Sequence, residues 1–414
     1  MGKKKVTPVR VPTKHQAAKW QRQNRIRRII ITASIVFFVG IISYIGYEYY
    51  AAQIKPFNEK VITVNDVSFD MRYYVNMLDA LTKLQGVEPN STYNYTYAVA
   101  QYIEDAELMK QGAKELNITV SENEIQEVVA NQSFPKDEVY RDIARTQLLS
   151  KKLSAYFDSQ LQGKMLQANM QVMLVESEQV ANAVLGRVSS GGNFTELVRQ
   201  FSYDNVTKKY DGNLGWLPEE LIPQTIAETF NLTPGEISQP IYDNSTSKDI
   251  GYWLIKVNEE DPANGTNVSA MLLGSEQEAL EIKSELDKAS DFSELAKSYS
   301  QHSSKYKGGE LGWLKEEGKG TNGFSDAFNG VAFQLSTGLV SEPVKDETVQ
   351  TKGGYWIVKV WDKQQRELDT NTRGVVKNKH FSEWLQLQRG NSTIENKLDS
   401  TRMTWAANEV IKRR

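Results

Sequence analysis

Two segments of this chain, about Met170 to Glu259 and about Val268 to Asp362, carry the same landmarks in the same order. Asn193-Phe194-Thr195-Glu196-Leu197 answers to Asp291-Phe292-Ser293-Glu294-Leu295, and Asn213-Leu214-Gly215-Trp216-Leu217 to Glu310-Leu311-Gly312-Trp313-Leu314. Gly251-Tyr252-Trp253-Leu254-Ile255-Lys256-Val257 answers to Gly354-Tyr355-Trp356-Ile357-Val358-Lys359-Val360. The offsets are about 98, 97 and 103 residues, so the one large length change falls after the Leu-Gly-Trp element, in the Gly-rich stretch Gly318 to Gly323. A period near 100 is too long for a solenoid and is the size of a small domain. Each copy reads as strand, helix, Ser-containing loop, Leu-Gly-Trp, short helix and final strand, which points to two tandem copies of a compact α/β domain.

The N-terminus differs from the rest. Residues 1–28 hold ten Lys or Arg and no acid, and Ile29 to Tyr47 then runs without a charge. Nineteen helical residues at about 1.5 Å each would span roughly 28 Å, enough for a hydrocarbon core. Tyr44, Tyr47, Tyr49 and Tyr50 stand where an interfacial aromatic belt would lie, and the basic flank should stay cytoplasmic. The expectation is a basic cytoplasmic tail (1–28), a transmembrane anchor (29–50) and an extracytoplasmic remainder. A cleaved signal peptide is the competing reading, opposed by the long basic flank and the length of the apolar run. Without the tail the net charge is about −13, which argues against a nucleic-acid partner. No cysteine is present, so disulfide and thiol chemistry are excluded.

Between anchor and repeats, Val61 to Val67 alternates as a short strand feeding a helix from about Phe69. Ile103, Ala106, Leu108, Ala113 and Leu116 fall at helical spacing, and Ser121-Glu122-Asn123-Glu124 spells a capping box with Val120 and Ile125 as its staple. Val139, Ile143, Leu148, Leu149, Leu153 and Tyr156 predict a long amphipathic helix reaching about Leu166. Near the other end, Phe381, Trp384, Leu385 and Leu387 mark a further helix, and Trp405 a last one. These stripes read as core faces or, in part, as a groove that holds a client chain.

The full ordered set, found twice, resembles the parvulin family of peptidyl-prolyl cis-trans isomerases. It runs Phe-x-Glu-Leu, Ser loop, Leu-Gly-Trp, a Phe-ended helix, then Ser238-Gln239-Pro240 or Ser341-Glu342-Pro343, and Gly-Tyr-Trp. The run Ala106 to Glu124 is similar to the N-terminal helical domain of SurA-type chaperones, and the helix around Phe381 to Leu385 fits their plan of a last helix folding back on that module. A single anchor is similar to foldases of the PrsA and PpiD type. The resemblance implies an α+β multidomain chain with an N-terminal transmembrane helix and a helical SurA-like domain (57–166). Two parvulin-like domains (167–261 and 266–364) follow, and C-terminal helices (375–414) pack on the helical domain.

Rotation about X-Pro faces a barrier of about 18–20 kcal/mol, and a catalyst need only hold the twisted imide better than either planar form. The resemblance implies an apolar proline pocket beside one His on the first strand, one on the last, and a Cys or Asp near the Ser loop. Here the first-strand positions are Val172 and Ala270, the last-strand positions are Trp253 and Trp356, and the Cys/Asp position holds Asp204 and His302. His302 and Asp204 are therefore the catalytic candidates, with a solvated loop residue as the other reading of His302. The pocket positions are Leu221, Thr225 and Phe230 in the first copy and Phe324, Phe328 and Phe333 in the second. The expected peptide-binding surface is Leu311, Phe324, Phe328, Phe333 and Trp356 in the second copy. In the first it is Leu214, Leu221, Phe230 and Trp253, weakened by Thr225. Plain core packing is the alternative role for both tryptophans.

The sequence thus supports a membrane-anchored extracytoplasmic folding factor that binds unfolded or proline-containing polypeptides, its isomerase activity weak or lost. An active isomerase with its site in the second copy, and a non-catalytic docking subunit at a translocon or envelope assembly, are the alternatives. No metal, nucleotide or nucleophile motif is present, and no cofactor is expected.

Overall fold

A computed structural model describes residues 54–316 and 322–414 continuously, with shorter runs between residues 25 and 50. The expected tail and anchor fall largely or partly outside the described residues, and among those described no helix is long and apolar enough to cross a membrane. The chain divides into two units, residues 1–161 with 377–414, and residues 162–376.

The first unit begins with a hairpin, β1 (Lys60–Val64) and β2 (Val67–Asp70), rather than a lone strand. Helix α1 (Met71–Leu84) starts where the Asp70 carboxylate accepts from Tyr73 N at 2.8 Å. Then come α2 (Thr96–Glu115), α3 (Glu122–Asn131) and α4 (Glu138–Gln160). The Ser121–Glu124 capping box forms as its spacing requires. The core joins Tyr74, Leu78, Ile103 and Leu108 to Ala406 and Val410 of the C-terminal helix Ser400–Lys412. Strand Ile394–Asn396 adds to β1, pairing Ile62 with Asn396 and Val64 with Ile394. Arg389 binds Glu104 at 2.8 Å and Asp105 at 2.7 Å. Phe381 and Trp384 lie 5.9 and 5.8 Å from Phe157. The C-terminal segment therefore completes the helical module.

Two expectations change here. Helix α4 stops at Gln160, not near Leu166, because the chain becomes extended at Lys164 and pairs with a distant strand. Leu387 is 62% exposed, whereas Phe381, Trp384 and Leu385 pack against the module.

The second unit runs β3 (Lys164–Val175), α5 (Glu178–Ser189), α6 (Phe194–Phe201), β4 (Asn213–Pro218), a 3-10 turn at Gln224–Asn231, and β5 (Ile241–Lys248). It continues with β6 (Gly251–Asp261), β7 (Gly265–Leu273), α7 (Glu276–Asp287), α8 (Phe292–Tyr299), β8 (Glu310–Leu314), α9 (Asp326–Ala332), β9 (Val344–Asp346) and β10 (Thr351–Glu367). Two four-stranded antiparallel sheets result, ordered β4-β3-β10-β5 and β8-β7-β6-β9. The copies have exchanged their last strands. β6, from the first copy, pairs with β7 of the second (Val257 with Val268), and β10, from the second, pairs with β3 of the first (Val358 with Val172). Segments 167–261 and 266–364 thus each contribute to both sheets, and the β6–β9 sheet is nested between β5 and β10 of the other.

The two last strands are near-identical in sequence, so either could fill either place, and the connections decide. β6 enters β7 through the tight turn Pro262-Ala263-Asn264. The Asp261 carboxylate accepts from the backbone N–H of Ala263 and of Asn264, each at 2.8 Å. Gly265 has φ +99°, and a Cβ there would lie 2.1 Å from Leu314 O, so only glycine closes this hairpin. A local hairpin costs far less loop entropy than pairing across the whole second copy. The Ser-x-Pro elements then clamp the incoming strands. Ser238 Oγ accepts from Val358 N and Ser341 Oγ from Ile255 N, both at 2.9 Å.

Where the chain crosses between sheets it buries charge. Lys248 is 2% exposed and donates to Lys352 O and Gly353 O. Tyr252 O–H donates to Glu176 at 3.2 Å, and Glu278 accepts from Gly274 N at 2.8 Å. Burial raises the pKa of both glutamates and lowers that of Lys248 to about 8.

Candidate functional site

Strand exchange recomposes both candidate pockets. Trp253 sits with second-copy residues: its ring lies 5.1 Å from Phe328, 5.9 Å from Phe324 and 5.3 Å from His302. Phe324 and Phe328 stack at 4.3 Å, and Leu311, Phe333 and Ala270 belong to the same cluster. Trp356 does not join this group, contrary to the expectation. It packs with Val172, Leu214, Ile226 and Phe230 of the first copy, because β10 lies beside β3. The two positions that hold histidines in the parvulin pattern still meet in space, but across copies: Val172 near Trp356, and Ala270 near Trp253.

Each indole is tied to a carboxylate the sequence reading did not single out. Trp253 Nε1 donates to Asp346 at 3.0 Å and Trp356 Nε1 to Asp243 at 3.1 Å. Asp243 and Asp346 are separated by the same offset as the tryptophans, a signal present in the repeat. Asp346 also accepts from Ser325 Oγ at 2.6 Å, Thr348 Oγ1 at 2.7 Å and Thr348 N at 2.9 Å. Burial pushes its pKa up, but the bonds from Ser325, Thr348 and Trp253 outweigh burial and hold it below the usual carboxylate range. This carboxylate is saturated and offers no basic site.

The two catalytic candidates do the same local work. Asp204 accepts from Thr207 N at 3.1 Å and Val206 N at 3.3 Å, which spends it on its own loop. His302 Nδ1 accepts from Ser304 N at 3.2 Å and lies 2.9 Å from Ser304 Oγ. Burial lowers its pKa, so the neutral ring is favoured.

In the first copy, Thr225 is exposed and Ile226 fills the core in its stead, because this segment is a 3-10 turn where the second copy has α9. Phe230 is buried and Leu214 half-buried in that cluster, while Leu221 stays outside it. In the second copy Phe328 is fully buried and therefore core, with Trp253 at 2% exposure. A cavity of about 330 Å³ remains beside them, lined by Trp253, His302, Phe324 and Asp346 among others. A larger one of about 520 Å³ lies in the helical module near Tyr73, Glu107 and Arg145, away from these aromatic residues. The smaller cavity presents aromatic surface beside one neutral imidazole, a combination suited to binding and poor in proton-transfer pairs.

The family model for the PPIC-type peptidyl-prolyl isomerase domain, or rotamase, matches residues 166–259 and 270–362. The chain carries two parvulin-type rotamase domains. It is also similar to the chaperone SurA of Burkholderia pseudomallei (strain 1710b), 26% identical over 317 residues, covering 70% of this chain and 66% of that one. SurA of Saccharophagus degradans is 26% identical over 250 residues, 54% of each chain, so the likeness spans about half to two thirds of these relatives. The foldase protein PrsA of a Geobacillus strain (WCH70) is 45% identical over 100 residues, 24% of this chain and 33% of that one. A solved PrsA structure from Bacillus anthracis matches at 12% identity and a TM-score of 0.26, covering 83% of this chain and 97% of that one, too loosely to place any residue.

Proposed function

We propose that this chain is an extracytoplasmic folding factor that holds unfolded polypeptides, its rotamase domains serving as binding modules with little or no isomerase activity. The observation that carries the reading is the replacement of the histidine pair by Trp253 with Ala270 and by Trp356 with Val172, each indole fixed to a carboxylate. Aromatic burial favours cis, trans and twisted prolyl forms alike, so it supplies affinity more readily than rate. Similarity to SurA chaperones and PrsA foldases supports a client that is an unfolded chain. The uncharged run Ile29 to Tyr47 behind a basic flank supports a membrane anchor with the N-terminus inside. The purified full chain in detergent should suppress aggregation of an unfolded client while accelerating proline isomerisation only marginally in a protease-coupled assay. Fast turnover lost on His302→Ala would replace this reading with an active isomerase sited in the second domain. Failure to suppress aggregation would leave the docking-subunit reading.

A further inference from the structure

A β-bulge interrupts both long antiparallel pairs at the same point of the repeat, at Asn258 where β6 meets β7 and at Trp361 where β10 meets β3. A bulge re-aims the side chain it carries. In the first sheet Trp361 lies under Lys359 Nζ at 3.7 Å and donates from Nε1 to Gln171 Oε1 at 3.1 Å. Gln171 Nε2 in turn donates to Thr195 Oγ1 at 3.1 Å and to Asp211 O, so the place is filled. In the second sheet all four counterparts are smaller: Asn258 for Trp361, Ser269 for Gln171, Ser293 for Thr195 and Gly308 for Asp211. They leave a cavity of about 390 Å³. Ser269 and Lys256 in its wall alternate with Ala270 and Ile255, which pack with Trp253 and Phe328, so it opens on the face of the sheet away from those rings.

The wall is rich in unspent hydrogen-bonding groups. Asn258 Nδ2 donates to Ser269 Oγ at 2.9 Å and to Asn267 Oδ1 at 3.2 Å. Asn258 Oδ1, Asn267 Nδ2, Ser293 Oγ, the Lys256 ammonium and the Glu310 carboxylate have no hydrogen-bond or ion-pair partner among the described residues. Beside them stands a bare indole. Trp313 is the ladder partner of Asn267, which sets it on the same face, and it is 40% exposed. Its counterpart Trp216 is covered by the Arg366 guanidinium at 4.2 Å, whereas the residue matching Arg366 is Ala263, in the tight turn, with nothing to lay over a ring. Donors and acceptors side by side, next to an open aromatic face, suit a ligand with many hydroxyl groups and an apolar C–H face. An aromatic side chain of a peptide would instead bury these polar groups unpaired.

We infer that this cavity binds a neutral oligosaccharide, with one sugar ring packed on Trp313 and the next exchanging hydrogen bonds with Asn258, Asn267, Ser293 and Glu310. The site lies apart from the aromatic cluster at Trp253, and the holding of unfolded chains does not depend on it. The first copy supplies the variant that closes it, since Asn258→Trp with Ser269→Gln restores two side chains that the same fold accommodates in the other sheet. The full chain in detergent should bind tri-N-acetylchitotriose or maltotriose in saturation-transfer NMR, and the difference between the two reads whether an acetamido group is recognised. Trp313→Ala should weaken binding about three- to tenfold, and the double variant should abolish it. Fluorine spectra of the fluorotryptophan-labelled native chain, with the Trp313 line assigned by Trp313→Phe, should show that line shift on saccharide addition, which decides the matter if a variant misfolds. No binding of either saccharide at millimolar concentration, a shift confined to other tryptophans, or undiminished binding by the folded double variant overturns the site. A Trp313 line moved by an end-blocked Ala-Trp-Ala peptide and not by saccharide overturns it in favour of a polypeptide ligand. Suppression of client aggregation is unchanged in every one of these outcomes, so the folding-factor reading is tested separately.

Discussion

The exchange of last strands makes a covalent prediction. The chain has no cysteine, so an introduced pair reports on one contact without competition. In the exchanged arrangement Tyr242 of β5 lies opposite Tyr355 of β10, with ring centroids 5.1 Å apart, whereas Tyr252 of β6 pairs with Leu273 and Lys345 in the other sheet. If each copy kept its own last strand, Tyr252 would stand opposite Tyr242. Directly opposed residues of an antiparallel pair have Cα atoms about 4.5–5.5 Å apart, inside the range a disulfide spans. Tyr242→Cys/Tyr355→Cys should therefore oxidise to one bridged species, and Tyr242→Cys/Tyr252→Cys should stay reduced. The bridge closes a loop of roughly 110 residues, which on the chain-entropy account stabilises the fold by about 5 kcal/mol. Loss of the Tyr242–Tyr355 ring contact offsets about 1 kcal/mol. Urea unfolding under oxidising and reducing conditions reads the difference, and gel mobility reads the bridge. A bridge in the Tyr252 pair and none in the Tyr355 pair would refute the exchange.

Further outcomes follow from the same packing. Thr351 is the ladder partner of Lys248, so replacing residues 249–350 by Asn-Gly should close the outer sheet as a hairpin, and residues 249–350 alone should give a dispersed, cooperatively melting module; loss of cooperative melting in both would count against the nested arrangement. Asp346→Ala strands the Trp253 indole and the Ser325 hydroxyl, and should cost about 3–5 kcal/mol by denaturant titration, against under 1 kcal/mol for an exposed control such as Glu342→Ala. Gly112→Ala would set a Cβ 2.6 Å from the Trp384 ring, so it should lower the stability of the helical module by about 1–3 kcal/mol despite alanine's helix propensity, measured by amide exchange at Ile103 and Leu108. Lys248 has its pKa lowered by burial to about 8, so the folded state binds fewer protons than the unfolded and stability should rise as pH increases from about 8 to 10. Tyr252, raised by burial and by Glu176, reverses the trend above its unfolded value near pH 10, and a flat profile in Lys248→Met would confirm the source of the rise.

What the sequence made legible was whatever depends on local chemistry. The capping box at Ser121–Glu124, the buried stripe through Ile103 and Leu108, and the docking of Phe381 and Trp384 all follow from spacing and side-chain type. Position in a repeat misled in two places. The offset pairs Thr225 with Phe328, yet a 3-10 turn carries Ile226 inward instead. It also pairs Trp356 with Phe324 by proximity along the chain, when Trp253 is the ring that meets Phe324. The second error has a physical root. Gly251 to Val257 and Gly354 to Val360 present nearly the same side chains to either sheet, so alternation and hydrophobicity score the exchanged and closed arrangements alike. The discriminating information lies in Asp261 to Gly265, where an Asx-type turn and a glycine at φ +99° commit β6 to β7 before β10 exists as a competitor in chain order. Once β6 is committed, β10 is left the place between β3 and β5, and the remaining clamps at Ser238 and Asp243 accept it because they are the same residues that Ser341 and Asp346 offer to β6. The likeness of the copies makes the exchange possible, and the turn framed by Asp261 and Gly265 chooses it.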